Sequence, residues 1–220
     1  MPAFDRESDM QVVGLQASLE AIGDETSEII QEVSYADTTI DALVTRIDED
    51  SLEEREALGL DEPLLDEHRG IYEWFTRVGK RDSEDLFHMS PDEDYDRELV
   101  NDLREVGFLK EYDGGRLSAV DIPRHLELVA IEFATAGWRE KLNRFYKLRT
   151  FTDEQRLIVD SEVATEVTNY TRWFKTNGVG LAALSPDGIL TTIIDPTGSD
   201  LEDERIARAL AEDVYAGEVA

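Results

Sequence analysis

The sequence predicts a mixed α/β fold, in which a mixed β-sheet is flanked by helices and preceded by a helical N-terminal region. Two observations carry this prediction. From residue 92 onward, helical patterns alternate with short apolar strands in the order α-β-β-β-α-β-α-β-β. Before residue 91, apolar residues recur at helical spacing instead of alternating. Hydrophobic residues make up 41% of the 220 residues, which is enough for a packed core.

The first 90 residues are predicted to be helical throughout. Apolar residues at helical spacing follow Met10, Asp24 and Asp37, and a further amphipathic stretch covers Leu64–Val78. We expect residues 1–90 to supply a surface for a protein partner or for homodimerisation, or to belong in part to a winged helix.

The second half is predicted to contain the sheet. A helix over Tyr95–Val106 stops at Gly107, and an Asp-Gly-Gly turn at 113–115 joins two strands as a hairpin. Leu126–Phe133 is largely apolar and is predicted to be a central strand. These elements give an α-β-β-β-α-β core in a domain over residues 91–198, followed by an acidic C-terminal helix or tail over 199–220. The later elements are expected as a helix over Trp138–Phe151, a strand over Gln155–Val159, a helix over Val163–Thr176, strands over Val179–Leu184 and Ile189–Ile194, and a helix over Asp200–Val214.

The composition excludes several chemistries. The chain has no cysteine and three histidines far apart in sequence, so thiolate metal sites, thiol nucleophiles and histidine-rich sites are not expected. With 51 acidic against 22 basic residues, the formal net charge is −29. Such a charge is typical of a cytoplasmic protein from an extreme halophile, where salt screens the self-repulsion. No apolar run is long enough to span a membrane, and the polar N-terminus does not resemble a secretion signal.

Three carboxylates lie on the opening helix or at the strand ends of the predicted core. Glu98 lies on its first helix, Asp121 ends its second strand, and Glu132-Phe133-Ala134 ends its third strand. With the element order, this pattern resembles the restriction-endonuclease-like PD-(D/E)XK superfamily over residues 92–196. Trp138 and Phe151-Thr152-Asp153 are similar to the segments that follow the Glu-x-Lys motif in one subgroup of that superfamily.

The resemblance implies a site in which acidic groups hold Mg²⁺ or Mn²⁺ and a lysine balances charge that develops on the phosphate. It assigns Glu98, Asp121 and Glu132 as remnant catalytic residues, and Asp121 and Glu132 as candidate metal ligands. Ala134 occupies the lysine position, and an alanine can neither donate a hydrogen bond nor carry charge. We therefore expect a catalytically degenerate domain with no resident cofactor, acting as a DNA-associated regulatory or protein-interaction module.

Two alternatives remain open from the sequence. In one, the protein is an active metal-dependent DNase in which Lys141 replaces the missing lysine. In the other, it is a winged-helix transcriptional regulator with a C-terminal sensing or dimerisation domain, because Ile71–Val78, Ser83–Met89, Tyr95–Val106 and the hairpin follow each other in winged-helix order. The acidity of the recognition helix in that arrangement is unfavourable for contact with phosphates.

One stretch of this acidic chain is basic and is the candidate nucleic-acid-binding segment. Cations of this density are what phosphate contacts require. The ordinary alternative is that they pair with carboxylates of the protein itself. The basic residues are Arg139, Lys141, Arg144, Lys147 and Arg149.

Overall fold

A computed structural model describes residues 3–35, 37–88, 92–198, 201 and 203–219. It confirms the mixed α/β class, with a six-stranded mixed sheet, a two-stranded sheet and flanking helices. The chain divides into two compact units, which are described separately. Unit 1 comprises residues 1–47, 126–211 and 219–220, and unit 2 comprises residues 48–125 and 212–218.

The elements are numbered along the chain. They are α1 (Glu7–Ile22), β1 (Glu28–Tyr35), β2 (Thr38–Ile47), α2 (Glu49–Ala57), α3 (Asp66–Val78), α4 (Glu84–Phe87), α5 (Glu93–Glu105), β3 (Leu109–Tyr112), β4 (Arg116–Ala119), β5 (Leu126–Ala134), α6 (Trp138–Leu148), β6 (Glu154–Asp160), α7 (Ala164–Val167), a 3₁₀ turn (Thr168–Tyr170), α8 (Thr171–Asn177), β7 (Gly180–Leu184), β8 (Leu190–Ile194) and α9 (Glu204–Ala216).

Unit 1 contains the six-stranded sheet in the order β1-β2-β5-β6-β7-β8. β2 pairs antiparallel with both β1 and β5, whereas β6 pairs parallel with both β5 and β7, and β8 closes the sheet antiparallel to β7. Within this unit the first six elements therefore succeed one another as α1-β1-β2-β5-α6-β6. This is the predicted α-β-β-β-α-β succession, with its first three elements formed by other residues than expected and its last three, β5, α6 and β6, formed where they were predicted.

Helix α1 packs on one face of the sheet through an apolar cluster that includes Met10, Ala17, Ile131 and Phe133. A glycine permits the close approach, because a Cβ atom at Gly14 would lie 2.3 Å from Cε1 of Phe133. Side chains alternate along a strand, so residue 132 of β5 points to the other face. That face is where α6 contributes its buried residues.

Unit 2 contains helices α2 to α5, the hairpin β3-β4 and residues 212–218. Its core is apolar, and an isolated β-bridge joins Arg81 to Leu117 of the hairpin. At its centre Arg55, which is 1% exposed, donates from Nη1 to Oε1 of Glu212 at 2.6 Å and from Nη2 to Oε2 at 2.9 Å. The principal core residues are Leu60, Leu64, Ile71, Tyr72, Phe75, Leu99, Leu103, Phe108, Leu117 and Ile122.

The helical prediction for residues 1–90 is wrong between residues 28 and 47, where the chain forms strands β1 and β2. Both strands are rich in β-branched residues, and the pairing of β2 with β5 outweighs the helical spacing of its apolar residues. The predicted helix over Val163–Thr176 is divided into α7, a 3₁₀ turn and α8.

The predicted domain boundaries also differ from the observed units. Residues 92–125 belong to unit 2, although they were assigned to a single domain over 91–198, and the first strands of the sheet come from residues assigned to a separate helical region. The hairpin β3-β4 forms its own sheet instead of joining the central strand. The junction at 90–91, the last residue of the predicted helix Ser83–Met89 and the predicted helix start at Asp200 lie outside the described residues. In the part of the chain that the structure describes, no helix is both long and apolar enough to cross a membrane.

Candidate functional site

Glu132 is the centre of the candidate site. It lies near the end of β5 and is fully buried, on the face of the sheet that α6 covers. Its Oε2 atom meets two basic side chains, and its Oε1 atom has no hydrogen-bond partner among the described residues. A carboxylate in such a place is costly unless it is paired or protonated, so its neighbours determine its state.

Asp41, on β2, is the second carboxylate of the site. Its Oδ2 atom accepts a hydrogen bond of 2.8 Å from the backbone N–H of Phe133, just after β5 and β2 stop pairing. This bond fixes the Asp41 carboxylate beside Glu132 at the end of two neighbouring strands. The same oxygen accepts a second bond from α6.

Lys141 and Arg144 supply the positive charge from α6. The Lys141 Nζ atom lies 2.6 Å from Oδ2 of Asp41, 3.2 Å from Oε2 of Glu132 and 3.1 Å from Oε1 of Glu7. Arg144 donates from Nη1 to Oε2 of Glu132 at 3.0 Å. Because residues three apart share one helix face, both cations reach the same carboxylate. Two acids and two bases thus form a closed cluster, with Glu7 of α1 at its edge.

The surroundings shift the proton affinity of this cluster. Burial, followed by the negative charge of Asp41, raises the pKa of Glu132 to about 7, although Lys141 and Arg144 oppose the shift. Burial alone would lower the pKa of Lys141, but its hydrogen bond to Asp41 and the nearby carboxylates raise it instead. The cluster can therefore hold or release a proton at Glu132 near neutral pH, while the lysine stays charged.

The predicted trio of Glu98, Asp121 and Glu132 is not assembled within either unit. Glu132 belongs to unit 1, whereas Glu98, on α5, and Asp121, after β4, belong to unit 2 and are exposed. Asp121 and Glu132, the candidate metal ligands, likewise lie in different units. The residues placed by the structure include no group of three or more His, Cys, Asp or Glu that could hold a metal ion. The hairpin β3-β4, which was expected to join the central strand, forms a separate sheet in unit 2, and Asp121 follows it there.

The five basic residues of the predicted nucleic-acid-binding segment do not form one uniform surface. Lys141 is buried in the carboxylate cluster, and Arg144 is half exposed beside it. Arg139 pairs with Glu166 at 2.8 Å and lies over the rings of Trp138 and Tyr170.

The last two cations of the segment differ from these three. The Lys147 side chain is exposed, and it has no hydrogen bond or salt bridge within the described ranges. Arg149 follows α6 and is half-buried, and its Nε atom is buried without a hydrogen-bond partner among the residues described.

In unit 2, α3, α4, α5 and the hairpin follow one another in the order that the winged-helix alternative predicts, with α5 as its expected recognition helix. Its exposed face is acidic. Arg97 is engaged by Glu84 and Glu93, and Arg104 by Glu111, so the positive charge of α5 is already paired within the unit.

Sequence reasoning missed Asp41 and Glu7. Asp41 is the one acidic residue in β2, between Ile40 and Ala42, and a lone carboxylate within a buried strand is a recognisable signal of a site. The signal was hidden because residues 37–47 were predicted to be helical. No feature of the sequence marks Glu7 among the other acidic residues of the N-terminus.

Comparisons with known proteins identify no relative of this chain. No family model, no curated protein and no solved structure matches the chain.

Proposed function

We propose that this protein is a catalytically inactive, nuclease-like module that acts in DNA-associated regulation or protein interaction. The observation that carries the proposal is the closed cluster at Glu132, where Lys141 and Arg144 already neutralise the buried carboxylates. In this proposal the part of the chain that resembles the PD-(D/E)XK core is unit 1 and no longer residues 92–196. The first six elements of unit 1 have the α-β-β-β-α-β order of that core.

The chemistry of the cluster supports an inactive site. Hydrolysis of a phosphodiester by this kind of site needs carboxylates free to bind a hard divalent cation. Here the Lys141 ammonium lies within hydrogen-bond distance of both Asp41 and Glu132, and a metal ion would have to displace it. Ala134 at the end of β5 is fully buried and adds no charge. The cluster is better suited to stabilising the fold than to activating water.

A plasmid-cleavage assay tests the proposal directly. We expect the wild-type protein, folded in molar KCl with millimolar Mg²⁺ or Mn²⁺, to leave supercoiled plasmid intact, and Mn²⁺ titration to give no saturable binding. Metal-dependent cleavage that is abolished by Asp41→Asn or Glu132→Gln would overturn the proposal. Glu140→Gln is the matched control, because Glu140 is an exposed acid on α6 outside the cluster.

The same assay addresses a second candidate function, a metal-dependent DNase with a relocated lysine. The contacts of Lys141 with Asp41 and Glu132 favour it, since they bring an amine to a pair of carboxylates at the ends of two strands. Under this candidate, Lys141→Met abolishes cleavage while Lys147→Met retains it. Cleavage by the wild type that survives Lys141→Met would exclude this candidate as well.

The surface charge of unit 2 helps to decide whether this unit binds proteins or DNA. We propose that its winged-helix-like part contacts proteins, because the exposed face of α5 is acidic and its arginines are paired. A winged-helix transcriptional regulator that reads DNA through α5 would need the opposite charge. We assign any DNA contact instead to the two cations at the end of α6, the exposed Lys147 and the half-buried Arg149.

Retention of labelled duplex DNA in molar KCl tests this assignment. We expect Lys147→Glu/Arg149→Glu to weaken retention, whereas Lys175→Glu, which reverses an exposed lysine on α8, leaves it unchanged. Retention that is unaffected by the double variant would remove α6 as the DNA contact. The acidic, cysteine-free composition supports a further part of the proposal, that the protein works in a salt-rich cytoplasm.

A further inference from the structure

A polar groove lies next to the carboxylate cluster in unit 1, where residues at the start of β2 approach the middle of α6. Its volume is about 390 Å³, which is within the range of pockets that hold small molecules and larger than one inorganic ion needs. The lining residues are Asp37, Thr38, Thr39, Asn143, Arg144 and Lys147.

Three of these side chains have no partner within the part of the chain that the structure describes. The Thr38 hydroxyl is buried and makes no hydrogen bond. The Asn143 amide and the Lys147 ammonium, both on exposed residues, likewise have no hydrogen bond or salt bridge. Buried polar groups are usually satisfied, so the unpaired Thr38 hydroxyl is unusual. The exposed Asn143 and Lys147 side chains beside it are free to bind a ligand.

The charge of the groove is also unusual for this chain. Acidic residues outnumber basic ones by 51 to 22, yet Lys147 faces the groove unpaired. Arg144 uses Nη1 for Glu132 and is 44% exposed, so its remaining N–H groups are available beside Lys147. Asp37 is the single carboxylate in the lining, and it can accept hydrogen bonds only.

We propose that this groove binds a small phosphate ester that also carries hydroxyl groups, such as a nucleotide or a sugar phosphate. Lys147 and Arg144 hold the phosphate, and Asp37 and Asn143 accept hydrogen bonds from the hydroxyl groups of the ligand. Phosphate oxygens match ammonium, guanidinium and hydroxyl donors, while a carboxylate matches hydroxyl groups. The proposal goes beyond the function proposed above and does not require it.

The test is a calorimetric titration of the full chain at the lowest KCl concentration that keeps it folded. The probes are inorganic phosphate, adenosine monophosphate and ribose 5-phosphate. We expect saturable binding of one molecule of each ester per chain, tighter than that of inorganic phosphate. Lys147→Gln should weaken the affinity by at least about tenfold, because it removes a charge-assisted hydrogen bond. Lys175→Gln should leave the affinity within about twofold, since it removes the same charge from another surface.

A second pair of probes sharpens the result. A short single-stranded oligonucleotide, with and without a 5′-phosphate, identifies the source of the phosphate. Preference for the phosphorylated oligonucleotide over the free nucleotides assigns the site to nucleic-acid ends, and the reverse preference assigns it to small metabolites.

Two results would overturn the proposal. One is the absence of saturable binding by every phosphate ester, and the other is an equal loss of affinity in Lys147→Gln and Lys175→Gln. Plasmid cleavage or loss of duplex retention in the earlier assays changes neither result, so this proposal and the proposed function fail separately.

Discussion

At the residue scale, Glu132 is a carboxylate that the fold buries and then surrounds with compensating charge. Removing one partner of such a buried pair is far more costly than removing an exposed ion pair, because the remaining charge stays in the protein interior. The contrast between Lys141, which is 9% exposed, and Lys147, which is exposed, lets this cost be measured on a single helix.

We expect Lys141→Met to destabilise the protein by about 3–5 kcal/mol at pH 8, because Asp41 and Glu132 lose their shared cation. The loss should shrink at pH 5.5, where Glu132 takes up a proton and no longer needs the ammonium. Lys147→Met should change the free energy of unfolding by no more than about 0.5 kcal/mol. Urea unfolding in molar KCl measures all three quantities, and equal effects of the two substitutions would contradict the buried pairing.

The raised pKa of Glu132 leads to a separate prediction, about how the stability of the fold depends on pH. Between the unfolded pKa of 4.5 and the folded value of about 7, the folded chain binds a proton at Glu132 that the unfolded chain does not. Stability contributed by this group is therefore present at low pH and is lost as pH rises through 7, by roughly 3 kcal/mol at most.

Comparison with Glu132→Gln isolates this effect. The pKa values of Asp24, Asp48, Glu84 and Asp203 are lowered, so these groups lose their contribution only in more acidic solution. From pH 5.5 to 8, the wild type should lose stability relative to Glu132→Gln. A parallel pH dependence of the two unfolding free energies would mean that Glu132 does not titrate in this window.

The residues of the site were only partly predictable. Glu132 was found because it ends an apolar strand, and Lys141 because it follows one turn into the next helix. Glu98 and Asp121 lie in unit 2, apart from the sheet of Glu132, because adjacency in sequence does not decide which sheet a hairpin joins. Asp41 lies 91 positions before Glu132 in the chain, and only the pairing of β2 with β5 brings the two together.

At the element scale, β1 and β2 show where periodicity is insufficient. Ile40, Leu43, Val44 and Ile47 have ideal helical spacing, yet they lie on a strand with eight residues that are buried or pair with β5. The strand is also rich in threonine and other β-branched residues, which favour β structure. Where helical periodicity and β propensity compete, the pairing with a distant strand decides the structure. Which strands pair cannot be read from a single sequence. The helices α1, α3, α5 and α6 were predictable because apolar residues recur in them at helical spacing, and a glycine follows the last turn of α1, α3 and α5.

Two glycines in helices should respond in opposite ways to alanine. Gly14→Ala in α1 places a Cβ atom 2.3 Å from Phe133, so α1 must shift and we expect a loss of about 1–3 kcal/mol. Gly70→Ala in α3 meets no atom within 4 Å and should gain about 0.5–1 kcal/mol through helix propensity. Thermal unfolding of both variants at one KCl concentration measures the difference. A gain in both would show that α1 does not approach the sheet this closely.

At the scale of the whole molecule, unit 2 is discontinuous in sequence, because residues 212–218 complete it. Glu212 accepts two bonds from Arg55 and one of 2.7 Å from the backbone N–H of Leu64. Glu212→Ala should therefore increase amide exchange across α2 and α3 and cost about 3–5 kcal/mol in unit 2. Arg205→Met, which removes a 74% exposed side chain paired with Asp203, is the control and should have little effect. Unchanged exchange in Glu212→Ala would contradict the role of this segment.

The net charge of −29 makes salt the largest external influence on stability. Exposed carboxylates repel one another over a screening length of about 10 Å at 0.1 M salt and about 3 Å at 1 M. The repulsion acts more strongly in the compact state than in the expanded unfolded chain, so added salt stabilises the fold. We expect the melting temperature to rise steeply between about 0.1 and 1 M KCl and to level off above that, once screening is complete. NaCl at the same ionic strength should give the same curve, because screening depends on charge and not on the identity of the cation. A melting temperature that does not change over this range would mean that the acidic surface is not an adaptation to salt.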